Sequence, residues 1–187
     1  MKIIKIPLNA GALSKKQGQE KASKAVIEEI KSFYMKEAGI LPFLDYEDVE
    51  IDNSNIETAN KAISKTVSEL DIPAILIGGD HSMTYSSFKA FSKKYSNPGL
   101  IVFDAHLDCE NNFSPPTHED YLRVLIEEGH VKKENVILIG IRNFHSKELE
   151  FAKKNNLKIY DMRELSRDGK REIADAIMSV AKGFDGL

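Results

Sequence analysis

The chain has 187 residues, 42% of them hydrophobic and 29% charged, which excludes a disordered or fibrous protein and allows one folded domain spanning residues 1–187. Twenty-six Lys and Arg against 29 Asp and Glu leave a net charge of −3 without a basic cluster, which argues against nucleic acid or an anionic membrane as a partner. Apolar runs are too short to span a bilayer, the N-terminus has no signal-peptide pattern, and the single cysteine, Cys109, allows no internal disulfide, so a cytoplasmic location is expected.

In chain order, residues 2–7 read as a first strand, followed by a polar loop and a helix over about 19–36. In that helix Ala22, Ala25, Val26, Glu29, Ile30 and Phe33 form the expected inner face. An acidic stretch, 45–52, carries a short strand at Val49, Glu50 and Ile51. Asn53 and Ser54 cap a helix to about Leu70, with Ala59, Ala62, Ile63, Thr66, Val67 and Leu70 at helical spacing. Residues 73–77 form a continuous apolar strand, the pattern of a parallel sheet covered on both faces. Ser82 caps the next helix, which runs to about Lys94.

Residues 99–103 form the next buried strand. A helix over 119–128 ends at Gly129, a strand covers 135–141, and a helix runs from about Ser146 to Asn155. Residues 157–160 are a short strand, and a last helix over about 169–182 presents Ile173, Ile177 and Ala181 on one stripe. Repeated strand–helix units with apolar strands predict a parallel sheet between helix layers, with ligands outside the carboxyl ends of the strands. The chain stops where a strand would follow the last helix, so a longer protein is expected.

Two stretches carry the chemistry. Gly78-Gly79-Asp80-His81-Ser82 and Asp104-Ala105-His106-Leu107-Asp108 each follow an apolar strand. If the strand continues, Asp104, His106 and Asp108, at i, i+2 and i+4, point to one face, with His81 at the end of a neighbouring strand. Ionisable groups crowded at a strand end need compensation, and a mixed oxygen and imidazole set suits a divalent first-row ion such as Mn²⁺. Metal-assisted hydrolysis is the chemistry this implies. Asp80 reads equally well as a turn cap or as an acceptor orienting its neighbours, and Cys109 as an inert buried thiol. His130 and His145 read as surface residues, and Arg142 as half of a salt bridge.

With those two motifs and Gly140-Ile141-Arg142-Asn143, the chain resembles the ureohydrolases: arginases, agmatinases, formimidoylglutamases and related guanidino hydrolases. The resemblance implies an α/β fold, a three-layer α/β/α sandwich with a parallel sheet, incomplete at the C-terminus. It implies a dinuclear Mn²⁺ site with a bridging hydroxide, in which His81 binds one ion, His106 the other, Asp104 bridges, and Asp108 joins the ion held by His81. The family's further Asp-x-Asp-x-x-Asp-Pro motif does not occur in this sequence, so the chain alone is expected to bind one ion or none.

His118 resembles the family's proton-shuttling histidine at the site mouth, a role that suits an imidazole. Glu110 and Asn111 are candidates for contact with the substrate tail. A carboxylate at 110 would repel an α-carboxylate and attract a terminal amine, which favours an agmatine-like substrate over arginine. The expected reaction releases urea and an amine, and the resemblance implies a homo-oligomer, a trimer or hexamer. The alternatives are a non-catalytic paralogue and a metal-dependent amide hydrolase of the same fold. A nucleotide-binding domain is disfavoured, because no phosphate-binding glycine loop follows a strand.

Overall fold

The structure, a computed structural model, describes all residues except 1, 14–16, 31, 33, 36, 38, 40–44 and 72. The chain divides into two compact units, Met1–Ser87 and Phe88–Leu187. Each is built on a three-stranded sheet in which every pairing is parallel.

In the first unit the sheet order is β2-β1-β3, with β1 at Lys2–Ile6, β2 at Asp45–Asp48 and β3 at Ala74–Gly78. Ile4, Ile6 and Leu8 are fully buried along the central strand and its exit. The strand expected at residues 49–51 lies earlier, in the wholly exposed segment Asp45–Asp48. Charge rather than apolar alternation selects it. Lys2 pairs with Glu47, and Lys5 Nζ lies 2.8 Å from Asp48 Oδ1 across the parallel pairing.

The first helix is a short 3₁₀ turn, Gln19–Lys21, followed by α1, Ala22–Ile30. Its buried residues are Ser23 and Ile27, whereas Ala25 and Val26, expected inside, are exposed. Phe33 lies outside the described residues. Helix α2, Ile56–Ser68, buries Ala59, Ile63 and Val67 as expected. Its cap is Asn55 rather than Asn53 or Ser54: the Asn55 side chain accepts the Thr58 N–H, satisfying a donor the first turn leaves open.

The division between the units falls within α3, Met83–Ser92. Ser82 does not supply the side-chain cap expected of it. Its hydroxyl donates to Asp80, whose Oδ1 also accepts the Ser82 N–H at 2.9 Å. Asp80 Oδ2 accepts the Gly11 N–H at 3.2 Å, so this buried carboxylate organises the turn.

The second unit has the order β4-β5-β6, with β4 at Leu100–Phe103, β5 at Val136–Ile141 and β6 at Lys158–Asp161. The central strand is the apolar run the sequence predicts, buried along nearly its whole length. Ile137 and Ile139 pack with Ile173 and Ile177 of α7, Lys170–Ala181. The outer strands are less covered than expected: Ile75 on β3 is 41% exposed and Phe103 at the end of β4 is 79% exposed.

Helix α4, Tyr121–Glu127, and α5, Ser146–Asn155, sit where periodicity puts them. Helix α6, Met162–Asp168, is one the periodicity missed; it begins directly after β6 on an Asp161–Glu164 capping box. Beyond α7, Gly186 makes an isolated parallel bridge to Pro98, just ahead of β4.

Candidate metal and substrate site

In the first unit, β3 ends in Gly78-Gly79-Asp80-His81, and the turn is held against β1. Gly79 N–H donates to Ile6 O and Asp80 N–H to Leu8 O, each at 2.9 Å. A Cβ on Gly79 would lie 1.9 Å from the Leu8 carbonyl oxygen, so the approach of the two chains requires glycine here. His81 is half-buried in this turn, at the carboxyl end of a parallel strand.

In the second unit the strand does not continue through the motif. β4 stops at Phe103, and residues 104–108 form a turn. Asp104 causes the departure: its Oδ1 accepts the His106 N–H at 2.9 Å, a local bond that competes with strand continuation. Asp108 then takes φ 50, in the left-handed region. Strand alternation therefore does not bring these side chains together. The turn does: Asp104 and Asp108 offer carboxylate oxygens within 4.8 Å of one another. The His106 ring is 56% exposed with Nδ1 3.3 Å from Asp104 Oδ1.

Around this turn lies a cavity of about 450 Å³, lined among others by His106, Asp108, Glu110, His118, His145 and Glu148. That volume suits a small molecule. Asn111 and Glu119 line it too. Thus Asp108, Glu110, Asn111 and His118, four of the positions singled out by sequence, share one cavity with His106. His118 is about one-third exposed, with Nε2 3.6 Å from Glu119 Oε1. Asp120, fully buried, sets the loop that carries it by accepting the N–H groups of Phe113 at 2.9 Å and Thr117 at 2.6 Å.

The sequence reading missed three contributors. His145, read as a surface residue, is exposed but faces the cavity, with Nδ1 3.4 Å from Glu110 Oε2; Lys147 Nζ lies 3.5 Å from Glu110 Oε1. Glu148 is buried, and its carboxylate accepts the N–H groups of Cys109 at 3.4 Å and His145 at 2.7 Å. A glutamate three residues past the start of α5 is a capping-box signal, readable in hindsight. Tyr121, fully buried, hydrogen-bonds the Asp108 carboxylate. Burial, with the charges of Asp108 and Asp104, pushes its phenol well above the ordinary range, so it stays a neutral donor. Arg142 donates to the Gly140 carbonyl at 3.2 Å, a backbone contact in place of the expected salt bridge.

The donor set fits a divalent cation. Two carboxylates brought close at the mouth of a cavity lined by imidazoles supply oxygen and nitrogen ligands of the kind first-row divalent ions take. Burial keeps Cys109 out of that chemistry: with the Glu148 carboxylate nearby, it pushes the thiol far up, so thiolate is not available at neutral pH.

Comparison with known proteins gives these residues a context. The Arginase family matches residues 1–186. The chain is similar to an arginase of Staphylococcus aureus (strain MSSA476), 30% identical over 179 residues that make up 88% of this chain and 57% of the relative. It is similar to a formimidoylglutamase of Halalkalibacterium halodurans, 30% identical over 76% of this chain and 47% of that protein. Among solved structures, formimidoylglutamase from Bacillus subtilis superposes with a TM-score of 0.88 at 26% identity, covering 98% of this chain and 62% of that one. The expected α/β sandwich class, with parallel strands and flanking helices, is therefore the arginase-like fold. The chain spans a little over half the length of the arginase it matches.

Proposed function

Because the chain belongs to the arginase family, we propose that it is the metal-binding part of a hydrolase acting on linear guanidino or related amidine compounds, with Mn²⁺ as the metal. The observation that carries this reading is the pairing of Asp104 and Asp108 beside a cavity of ligand size, in a chain matched by that family over 1–186. Asp104, Asp108 and His106 would hold the cation, and His81 joins them on the strength of its motif. The bound ion would supply Lewis acidity and a water of lowered pKa.

The chain's own residues would do the rest. His118, in the wall of the cavity, would give a proton to the departing amine nitrogen. Glu110 and Asn111 would meet the substrate tail. Since Glu110 presents a carboxylate to the cavity, a tail ending in an amine fits better than one ending in a carboxylate alone, which keeps an agmatine-like substrate ahead of arginine. The curated relatives described above carry the names arginase and formimidoylglutamase, so arginine and formimidoylglutamate are the competitors. A trimeric or hexameric assembly in the cytoplasm belongs to the same proposal. Among the described residues no helix is long and apolar enough to cross a membrane.

The test is metal analysis of the purified protein together with product release after Mn²⁺ loading. Urea from agmatine or arginine, or formamide from formimidoylglutamate, identifies the substrate, and His106→Ala should abolish both metal uptake and release. Absence of bound metal and of any product would leave the non-catalytic reading in its place.

A further inference from the structure

Asp108 holds a backbone conformation that residues other than glycine keep only where their surroundings impose it. Those surroundings are concentrated at the start of α4. The Leu122 N–H donates to Asp108 O at 3.2 Å, and the Glu110 N–H to Glu119 O at 3.1 Å. Residues 119–122 thus grip residues 108–110 by the backbone on both sides of Cys109. Between those two bonds stands Tyr121, fully buried, with its hydroxyl on the Asp108 carboxylate. A phenol in the interior needs a polar partner for its hydroxyl, and here that partner is the acid at the wall of the cavity.

Resting on the reading of Asp108 as a metal ligand, we propose that Tyr121 is its positioning residue. The backbone bonds locate the Asp108 main chain, and the Tyr121 hydroxyl selects the rotation of the carboxylate that turns an oxygen toward Asp104. Carboxylates that bind metals depend on such outer partners for their orientation, and removing one commonly costs about 10–100-fold in metal affinity. Tyr121 itself touches neither metal nor substrate in this arrangement. It acts through Asp108, from inside a helix whose other buried residues are apolar.

The test is Tyr121→Phe, which keeps the ring in its pocket and deletes the hydroxyl. Mn²⁺ binding to the whole chain is read from the free-ion electron paramagnetic resonance signal, beside crystal structures of the metal-free wild type and variant. The expected result is a Mn²⁺ affinity lower by about 10–100-fold, with the Asp108 carboxylate rotated in the metal-free variant. An unchanged affinity with Asp108 in its original rotamer would overturn the proposal, as would a lowered melting temperature with Asp108 unmoved, since that describes a packing role alone. If the wild type takes up no Mn²⁺, the metal reading fails, and the Asp108 rotamer in the two metal-free crystals still decides whether Tyr121 positions it.

Discussion

Glu148 ties the site loop to α5: its Oε1 accepts the Cys109 N–H at 3.4 Å while Oε2 accepts the His145 N–H at 2.7 Å. The carboxylate is buried, so removing it leaves backbone donors unsatisfied in the interior. Glu148→Ala should therefore lower unfolding free energy by about 1–3 kcal/mol, read from urea melts. Glu148→Gln, which retains an acceptor, should recover part of that loss.

Cys109 gives an independent reading of how tightly the loop is closed. Its thiol is fully buried and held protonated by burial and by the neighbouring Glu148 carboxylate. Native protein should resist thiol reagents at pH 8 and label completely in denaturing guanidinium. The folded thiol keeps its proton above the ordinary value of 9.0, whereas the unfolded one ionises there, so this group makes stability fall as pH rises past 9.0. Cys109→Ser or Cys109→Ala should flatten that alkaline decline.

His130 acts at the other end of the pH range. Burial lowers its pKa below 6.5, with Lys89 working in the same direction against the Glu128 carboxylate. Between the folded value and 6.5 the unfolded chain binds the proton that the folded chain refuses. Stability should therefore fall as pH drops below 6.5, and His130→Gln should lessen that fall in urea midpoints followed against pH.

The Asp161 side chain accepts the N–H groups of Arg163 and Glu164, both at 2.8 Å, while Glu164 accepts the Asp161 N–H at 3.1 Å. Asp161→Ala should cost about 1 kcal/mol of stability, measured by denaturation. It should leave Mn²⁺ uptake as it was, because α6 contributes nothing to the cavity walls named above.

Particular elements show what could be read from the chain and what could not. β5 and α5 were legible because an unbroken apolar run and a capped 3.6-residue period each have few competing interpretations. β2 was not, because its four exposed residues pair through backbone bonds and through charges on β1, a partner some forty residues away. α6 lacks a buried residue, so only its cap announced it. The acids of the Asp104 motif were legible as a group, but the geometry was not: side-chain capture of the His106 N–H replaces the expected strand with a turn. His145, Glu148 and Tyr121 reach the cavity through tertiary packing, which no local spacing encodes.

The backbone angle of Asp108, φ 50, also decides how that position can be interrogated. Outside glycine, the left-handed basin is tolerated chiefly by aspartate and asparagine. An alanine placed there discards a carboxylate and torques the polypeptide in one stroke, so its phenotype blends two injuries. Asparagine, alike in shape but uncharged, separates charge from conformation, and glycine supplies the complementary control.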